Sequence, residues 1–191
     1  LLAGHETTAN ALTWTWYLLS QNPDAEAKLH AELKAVLNGR APTVGDLPRL
    51  PYTRMVIDET MRLYPPAWGF SRQAMGDDRL GGYRLPKGWM AFVIPYVLHR
   101  LPAYWPNPDA FDPDRFSPER SADRPKFVYV PFGAGPRQCI GNQFALIEAH
   151  LSVATLAQKY RLQLASSQRV DAWPLITLRP RYGMSMIVER R

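Results

Sequence analysis

Residues 131–141 read Pro131-Phe132-Gly133-Ala134-Gly135-Pro136-Arg137-Gln138-Cys139-Ile140-Gly141, and they decide the fold. Three glycines and Pro136 bend a tight, exposed loop around the one cysteine of the chain. A helix follows directly, and its N-terminal amides and dipole would stabilise a thiolate. A lone cysteine can equally be a small buried hydrophobe, but a loop so rich in backbone-shaping residues is built to present the sulfur. A single cysteine forms no internal disulfide, which suits a reducing compartment, and cannot make a structural zinc site by itself.

Downstream of the loop, the spacing predicts a long helix over roughly 142–160 with Phe144, Ile147, Leu151 and Ala154 on one side. Strands follow around Ile176-Thr177-Leu178 and over 184–188. Upstream, residues 101–136 hold eight of the eighteen prolines and many aromatics, which predicts a long ordered meander. Residues 70–95 read as short extended runs broken by Gly81-Gly82 and Pro86-Lys87-Gly88, the turn chemistry of a small sheet. A helix over 51–64 ends at Pro65-Pro66, because the residue before a proline avoids helical angles. Asn22-Pro23 caps and starts an amphipathic helix that carries Leu29, Leu33, Val36 and Leu37 to a stop at Asn38-Gly39. Residues 1–20 read as another helix. The sum is an α+β fold, mainly helical with small β-sheets, and no internal repeat or low-complexity segment occurs.

Two polar segments stand out. Glu59-Thr60-Met61-Arg62 puts a carboxylate and a guanidinium three residues apart on one helical face. On a surface such a pair stabilises little. Ala3-Gly4-His5-Glu6-Thr7-Thr8 opens the first helix. It is no zinc-protease motif, since His-Glu-x-x-His would need a histidine at Ala9.

The pattern Phe132, Gly135, Arg137, Cys139 and Gly141, with Pro131 before it, matches every fixed position of the cytochrome P450 haem-binding signature. The chain is similar to that family over nearly its whole length and in the right order, as the C-terminal half of the fold. The resemblance implies that Cys139 is the axial thiolate ligand of the iron in haem b, iron protoporphyrin IX, a ligand that pushes electron density toward the metal. It also implies that Phe132 packs near the sulfur, that backbone amides just after Cys139 bond to it, and that Arg137 pairs with a haem propionate. Arg72, six residues past Pro66, matches the second propionate-binding arginine. Glu59 and Arg62 resemble the Glu-x-x-Arg motif. Arg115 in Pro113-Asp114-Arg115-Phe116 completes that buried network, although the family more often has Glu where Asp114 stands. His99-Arg100 and Trp105 resemble the packed segment before the meander. Gly4, Glu6 and Thr7 resemble the distal acid and alcohol pair, whose hydroxyl interrupts helical bonding and helps deliver protons during dioxygen activation.

The implied reaction is insertion of one oxygen atom from O2 into a hydrophobic organic substrate. The two electrons would come from a flavodoxin-like reductase domain or a ferredoxin. Residues 66–70 and 172–175, with Trp68, Phe70 and Trp173, occupy positions that line the substrate pocket in this family. The competing readings are a haem-thiolate peroxygenase or isomerase and a non-catalytic remnant. A net charge of +6 suits an acidic partner. The basic residues form no block, so nucleic acid is not an expected partner. No run of eighteen apolar residues and no secretion signal occurs, and the expectation is cytoplasmic. The chain opens without Met and reads as part of one P450 domain whose N-terminal half is elsewhere. In isolation it is expected to bind haem poorly and turn over nothing.

Overall fold

The computed structural model describes residues 2–165 and 168–191. Leu1, assigned above to the first helix, lies outside them. Four long helices form the body: α1 (Leu2–Gln21), α2 (Pro23–Leu37), α3 (Pro51–Leu63) and α6 (Asn142–Ala157). Between α3 and α6 come strands β1 (Phe70–Gln73), β2 (Asp78–Leu80), β3 (Tyr83–Leu85) and β4 (Met90–Val93). The short helices α4 (Pro95–Leu98) and α5 (Pro118–Ser121) follow, separated by a 3-10 turn at Pro113–Phe116. After α6 come β5 (Tyr160–Leu164), β6 (Ala172–Pro174), β7 (Leu178–Pro180) and β8 (Met186–Arg190). The fold is therefore helical with small antiparallel ladders.

The core lies where α1, α2, α3 and α6 meet. Leu19 on α1, Leu29 and Leu33 on α2, Val56 and Ile57 on α3, and Leu146 and Val153 on α6 are buried in one cluster. Each such side chain contributes about 1.5–3 kcal/mol by leaving water. Ten of the thirteen residues of α3 are buried, five of them polar, so α3 is the axis of the molecule rather than a surface helix. Its N-terminus is closed by the Glu32 carboxylate, which accepts the Tyr52 and Thr53 amides at 2.6 and 2.8 Å. An anion at that end also meets the favourable pole of the helix dipole. Its C-terminus falls at Leu63, before Pro65-Pro66, with Tyr64 already out of helical geometry.

Three local expectations change. Asn22 does not cap α2. Its amide donates to the Leu18 carbonyl at 2.7 Å and so closes α1, while Pro23 alone starts the next helix. The last helix stops at Ala157 rather than near 160, because Tyr160–Leu164 pairs antiparallel with Met186–Arg190. Its buried face is Leu146, Ala149, His150, Val153, Ala154 and Ala157. Of the four residues expected to face the core, Ala154 is buried, Ile147 and Leu151 are half-buried and Phe144 is exposed. A helix apolar on most sides does not choose its inward face by periodicity; its neighbours α1 and α3 choose it.

The expected small sheet is two nested hairpins, β1 with β4 (Phe70 opposite Val93) and β2 with β3 (Asp78 opposite Leu85). Gly81 and Gly82 both have positive φ, 57° and 87°, as a two-residue hairpin turn of matching twist requires. A last hairpin joins β6 to β7. No helix among the described residues is long and apolar enough to cross a membrane.

Candidate functional site

The site is built upward from α3. Glu59 and Arg62 have no solvent exposure and meet as a two-pronged pair: Arg62 Nε donates to Glu59 Oε2 at 2.6 Å, and Nη2 to Oε1 at 2.8 Å. The buried Arg115 adds Nε to Glu59 Oε1 at 3.2 Å, and the Asp112 amide reaches the same oxygen at 2.9 Å. The remaining guanidinium hydrogens are spent on meander carbonyls. Arg62 Nη1 donates to His99 and Pro108 at 2.8 and 2.7 Å, and Nη2 to Ala110 at 3.1 Å. Arg115 donates to Asn107 at 2.7 Å and to Pro106. A proline-rich meander has carbonyls to spare and few amides to satisfy them, and two forked cations supply the donors it lacks. The indole of Trp105 lies under Arg62 on one side and Arg124 on another, with centroid distances of 5.2 and 4.6 Å.

The network reaches the cysteine loop through residues 129 and 130. Tyr129 donates its hydroxyl to the Asp58 carbonyl at 2.9 Å and lies 3.1 Å from the Asp58 carboxylate. The Val130 amide donates to Nε2 of the buried His99 at 2.9 Å. From there the loop folds on itself. Gly133 N bonds to Val130 O at 3.0 Å, Gln138 N to Gly135 O at 3.0 Å, and Cys139 N to Phe132 O at 2.9 Å. Gly133 and Gly135 both sit at φ 71°, which non-glycine residues rarely adopt. Phe132 packs against the helical core, so the loop is anchored on its inner side and open on its outer side.

On that outer side Cys139 is exposed, Ile140 fully so, and Phe144 is 74% exposed. Ile140 is the residue after the cysteine and Phe144 lies in the first turn of α6, so two exposed apolar side chains follow the thiol closely along the chain. Arg137 and Arg72 are exposed too, and neither is paired with a carboxylate among the described residues. Arg72 stacks over Phe70 at 5.2 Å and donates to the Ser71 carbonyl. The donor set fits a flat apolar macrocycle held by one thiolate and bearing carboxylates. Among the described residues no cluster of His, Cys, Asp and Glu offers a bare metal ion a site.

The remaining candidate residues lie at the start of α1. Here Glu6 is exposed and Thr7 half-buried. The expected interruption of helical bonding is not seen. The helix is continuous through Thr7, whose hydroxyl donates back to the Ala3 carbonyl at 2.8 Å. Glu6 instead accepts a bond from Thr177, 171 residues away, which the sequence did not suggest. The roles of His99 and Tyr129 in fixing the loop were also missed. His99 was visible only as a packed residue, because its partner is a backbone amide, which leaves no trace in residue type.

A glycine-bent loop thus presents an exposed thiol and is tied, through residues 129 and 130, to a buried Glu-Arg-Arg network. The chain belongs to the cytochrome P450 family, whose model, described as Cytochrome P450, matches residues 1–185. It is 50% identical over 178 residues to cyclooctatin synthase of Streptomyces melanosporofaciens, covering 93% of this chain and 39% of that protein. It is 41% identical to the putative cytochrome P450 132 of Mycobacterium tuberculosis over 191 residues, covering all of this chain and 41% of the relative. To human cytochrome P450 4V2 it is 41% identical over 196 residues, covering all of this chain and 37% of the relative. The chain thus spans about two fifths of the length of the curated relatives it matches. Membership implies haem.

Burial also sets a pH dependence. It lowers the pKa of His99 to about 3 and that of His150 and His30 to about 4, in each case chiefly because a charged imidazole would lose its hydration. The unfolded chain holds these protons up to about 6.5. The folded state therefore binds fewer protons between those limits. The stability from neutral imidazoles is complete above pH 6.5 and lost as pH falls toward 4 and then 3. Urea midpoints are expected to drop between pH 7.5 and 5. The drop should shrink in His99→Gln, whose amide oxygen can accept from Val130 without titrating. An equal drop in that variant would show that His99 is not the sensor.

Proposed function

We propose that the protein carrying this chain is a haem-thiolate monooxygenase that inserts one oxygen atom of O2 into a hydrophobic organic molecule. The observation that carries the reading is the exposed Cys139 thiol, backed by the Phe132 carbonyl bond and the buried Glu59, Arg62 and Arg115 lock. Cys139 would hold haem b through its sulfur, and Arg137 and Arg72 would receive the propionates. Bound haem would supply the oxygen activation. This chain's own residues would orient the thiolate, cover one macrocycle face with Ile140 and Phe144, and manage protons through Glu6 and Thr7.

The two electrons would come from a flavodoxin-like reductase domain or a ferredoxin, toward which a net charge of +6 is attractive. Trp68, Phe70 and Trp173, near the pocket-lining segments of the family, suit an apolar substrate. One Streptomyces relative, 44% identical over 163 residues, is named cyclooctat-9-en-7-ol 5-monooxygenase. Since this chain spans about two fifths of its relatives, it is proposed to bind haem weakly alone.

A chimera in which this chain replaces the matched segment of cyclooctatin synthase tests the reading. The reduced chimera is expected to show the red-shifted carbon-monoxide band of thiolate ligation and O2-dependent product formation. A band at the position of imidazole-ligated haem would overturn it. A peroxygenase is the second reading, favoured by the Thr7 hydroxyl being committed to Ala3. Under the monooxygenase reading Thr7→Ala lowers product formed per O2 consumed and spares peroxide-driven turnover. If product per O2 stays at the parent value, the peroxygenase reading is preferred.

A further inference from the structure

Glu6 and Thr177 lie at opposite ends of the chain and meet as a short hydrogen bond, Thr177 Oγ1 donating to Glu6 Oε1 at 2.6 Å. The same hydroxyl accepts from Asn10 Nδ2 at 3.1 Å. Asn10 stands one helical turn below Glu6 on α1, so both neighbours of the hydroxyl come from one face of one helix. The amide nitrogen can only donate, so the single hydroxyl proton of Thr177 is committed to the carboxylate. Glu6 Oε1 is thereby fixed, while Oε2 has no hydrogen-bond partner among the described residues. Thr177 itself is 7% exposed, and a partner held in so dry a place is held well.

The turn that carries Thr177 is pinned on three further sides. The Leu178 amide donates to the Pro66 carbonyl at 2.9 Å. The indoles of Trp14 and Trp68 donate to the carbonyls of Leu178 and Leu175 at 3.1 and 2.7 Å. The tip itself is open: Ile176, the residue beside Thr177, is 96% exposed, and Leu175 before it is 43% exposed. A surface turn ending in a bare isoleucine would not need four separate anchors for stability alone, and one of them is the acid that the proton role requires.

We infer that Thr177, oriented by Asn10, is a positioning residue for Glu6: it immobilises one carboxylate oxygen so that the other can exchange protons beside Thr7. This rests on the proposed monooxygenase reading. Proton delivery depends on the direction in which a carboxylate points as well as on its presence, and a carboxylate on an exposed helical turn would otherwise rotate freely.

The test uses the haem-loaded chimera and two readouts, product formed per O2 consumed and hydrogen exchange of the peptide 172–180. Glu6→Gln retains an oxygen that accepts from Thr177 but cannot carry the proton, so the turn should stay protected while product per O2 falls. Thr177→Val removes the hydroxyl at constant shape. It should speed exchange in the turn and lower product per O2 about fivefold, the equivalent of one net hydrogen bond. Thr177→Ser should match the parent in both. If Thr177→Val loosens the turn but leaves product per O2 unchanged, Thr177 is a structural tether and the inference fails. The inference also fails if Thr177→Val lowers product per O2 equally in the Glu6→Gln background, since the effect then bypasses Glu6. Parent-like product per O2 in Glu6→Gln removes the proton role of Glu6 itself, a failure of the monooxygenase reading at this residue that the other variants do not mimic.

Discussion

Replacing Arg62 with alanine is expected to cost about 3–5 kcal/mol of folding stability, the usual cost of breaking one member of a fully buried charge network. The number follows from what is orphaned. Glu59 Oε2 loses its one donor, and the His99 and Pro108 carbonyls lose theirs; the Ala110 carbonyl keeps only a 3.5 Å contact with Arg115. Glu59 and the His99 carbonyl cannot turn to water, because neither residue has any exposure, whereas Pro108 is half-buried and Ala110 exposed. A domain with about 5–15 kcal/mol in total would be left marginal or unfolded. Arg62→Lys should recover little, since an ammonium cannot hold both carboxylate oxygens and three carbonyls from one plane. Removing both charges as Glu59→Leu with Arg62→Leu should not restore stability, because the buried Arg115 then loses its carboxylate and the His99 and Pro108 carbonyls stay without donors. Denaturant midpoints on the chimera, with and without haem, check the series. A lysine variant as stable as the parent would mean that charge alone matters and that the fork geometry is incidental.

That network was legible in the sequence as residue types, but its reach was not. Glu59 and Arg62 share a helical face by spacing, and Arg115 stands where the resemblance puts it. What spacing cannot state is that the pair lies on the most buried helix of the molecule. That burial comes from α1, α2 and α6 closing around α3. The backbone half of the lock was equally silent: the Pro106, Asn107, Pro108 and Ala110 carbonyls are the same atoms in any residue. The helices were readable because Pro23, Pro51, Pro65 and Asn38 punctuate them through local sterics. Where the pattern was ambiguous, in α6, the choice of face fell to tertiary contacts and Phe144 turned outward. The tie between Glu6 and Thr177 is a hydroxyl meeting a carboxylate across the whole chain, and no periodicity carries such a pairing.

Cys139→Ser is expected to separate stability from function as cleanly as Arg62→Ala joins them. The cysteine side chain is exposed, and the one bond that fixes its residue comes from its own amide to the Phe132 carbonyl, which a serine keeps. Surface substitutions of this kind usually fall within about 0.5 kcal/mol, so the variant should fold as the parent does. Ligation should not survive. A serine hydroxyl is far harder to ionise than a thiol and a poorer donor to iron, so the red-shifted carbon-monoxide band should vanish and monooxygenation with it. The same exposure predicts a chemical footprint. Without haem, Cys139 has neither a covering side chain nor a disulfide partner and should alkylate readily with iodoacetamide. Under the proposed ligation haem would occupy the sulfur and cover Ile140 and Phe144, so alkylation should all but stop on haem loading. Protection that fails to appear on haem loading, or a red-shifted band that persists in Cys139→Ser, would place the ligand elsewhere and leave the exposed apolar face around position 139 in need of another occupant.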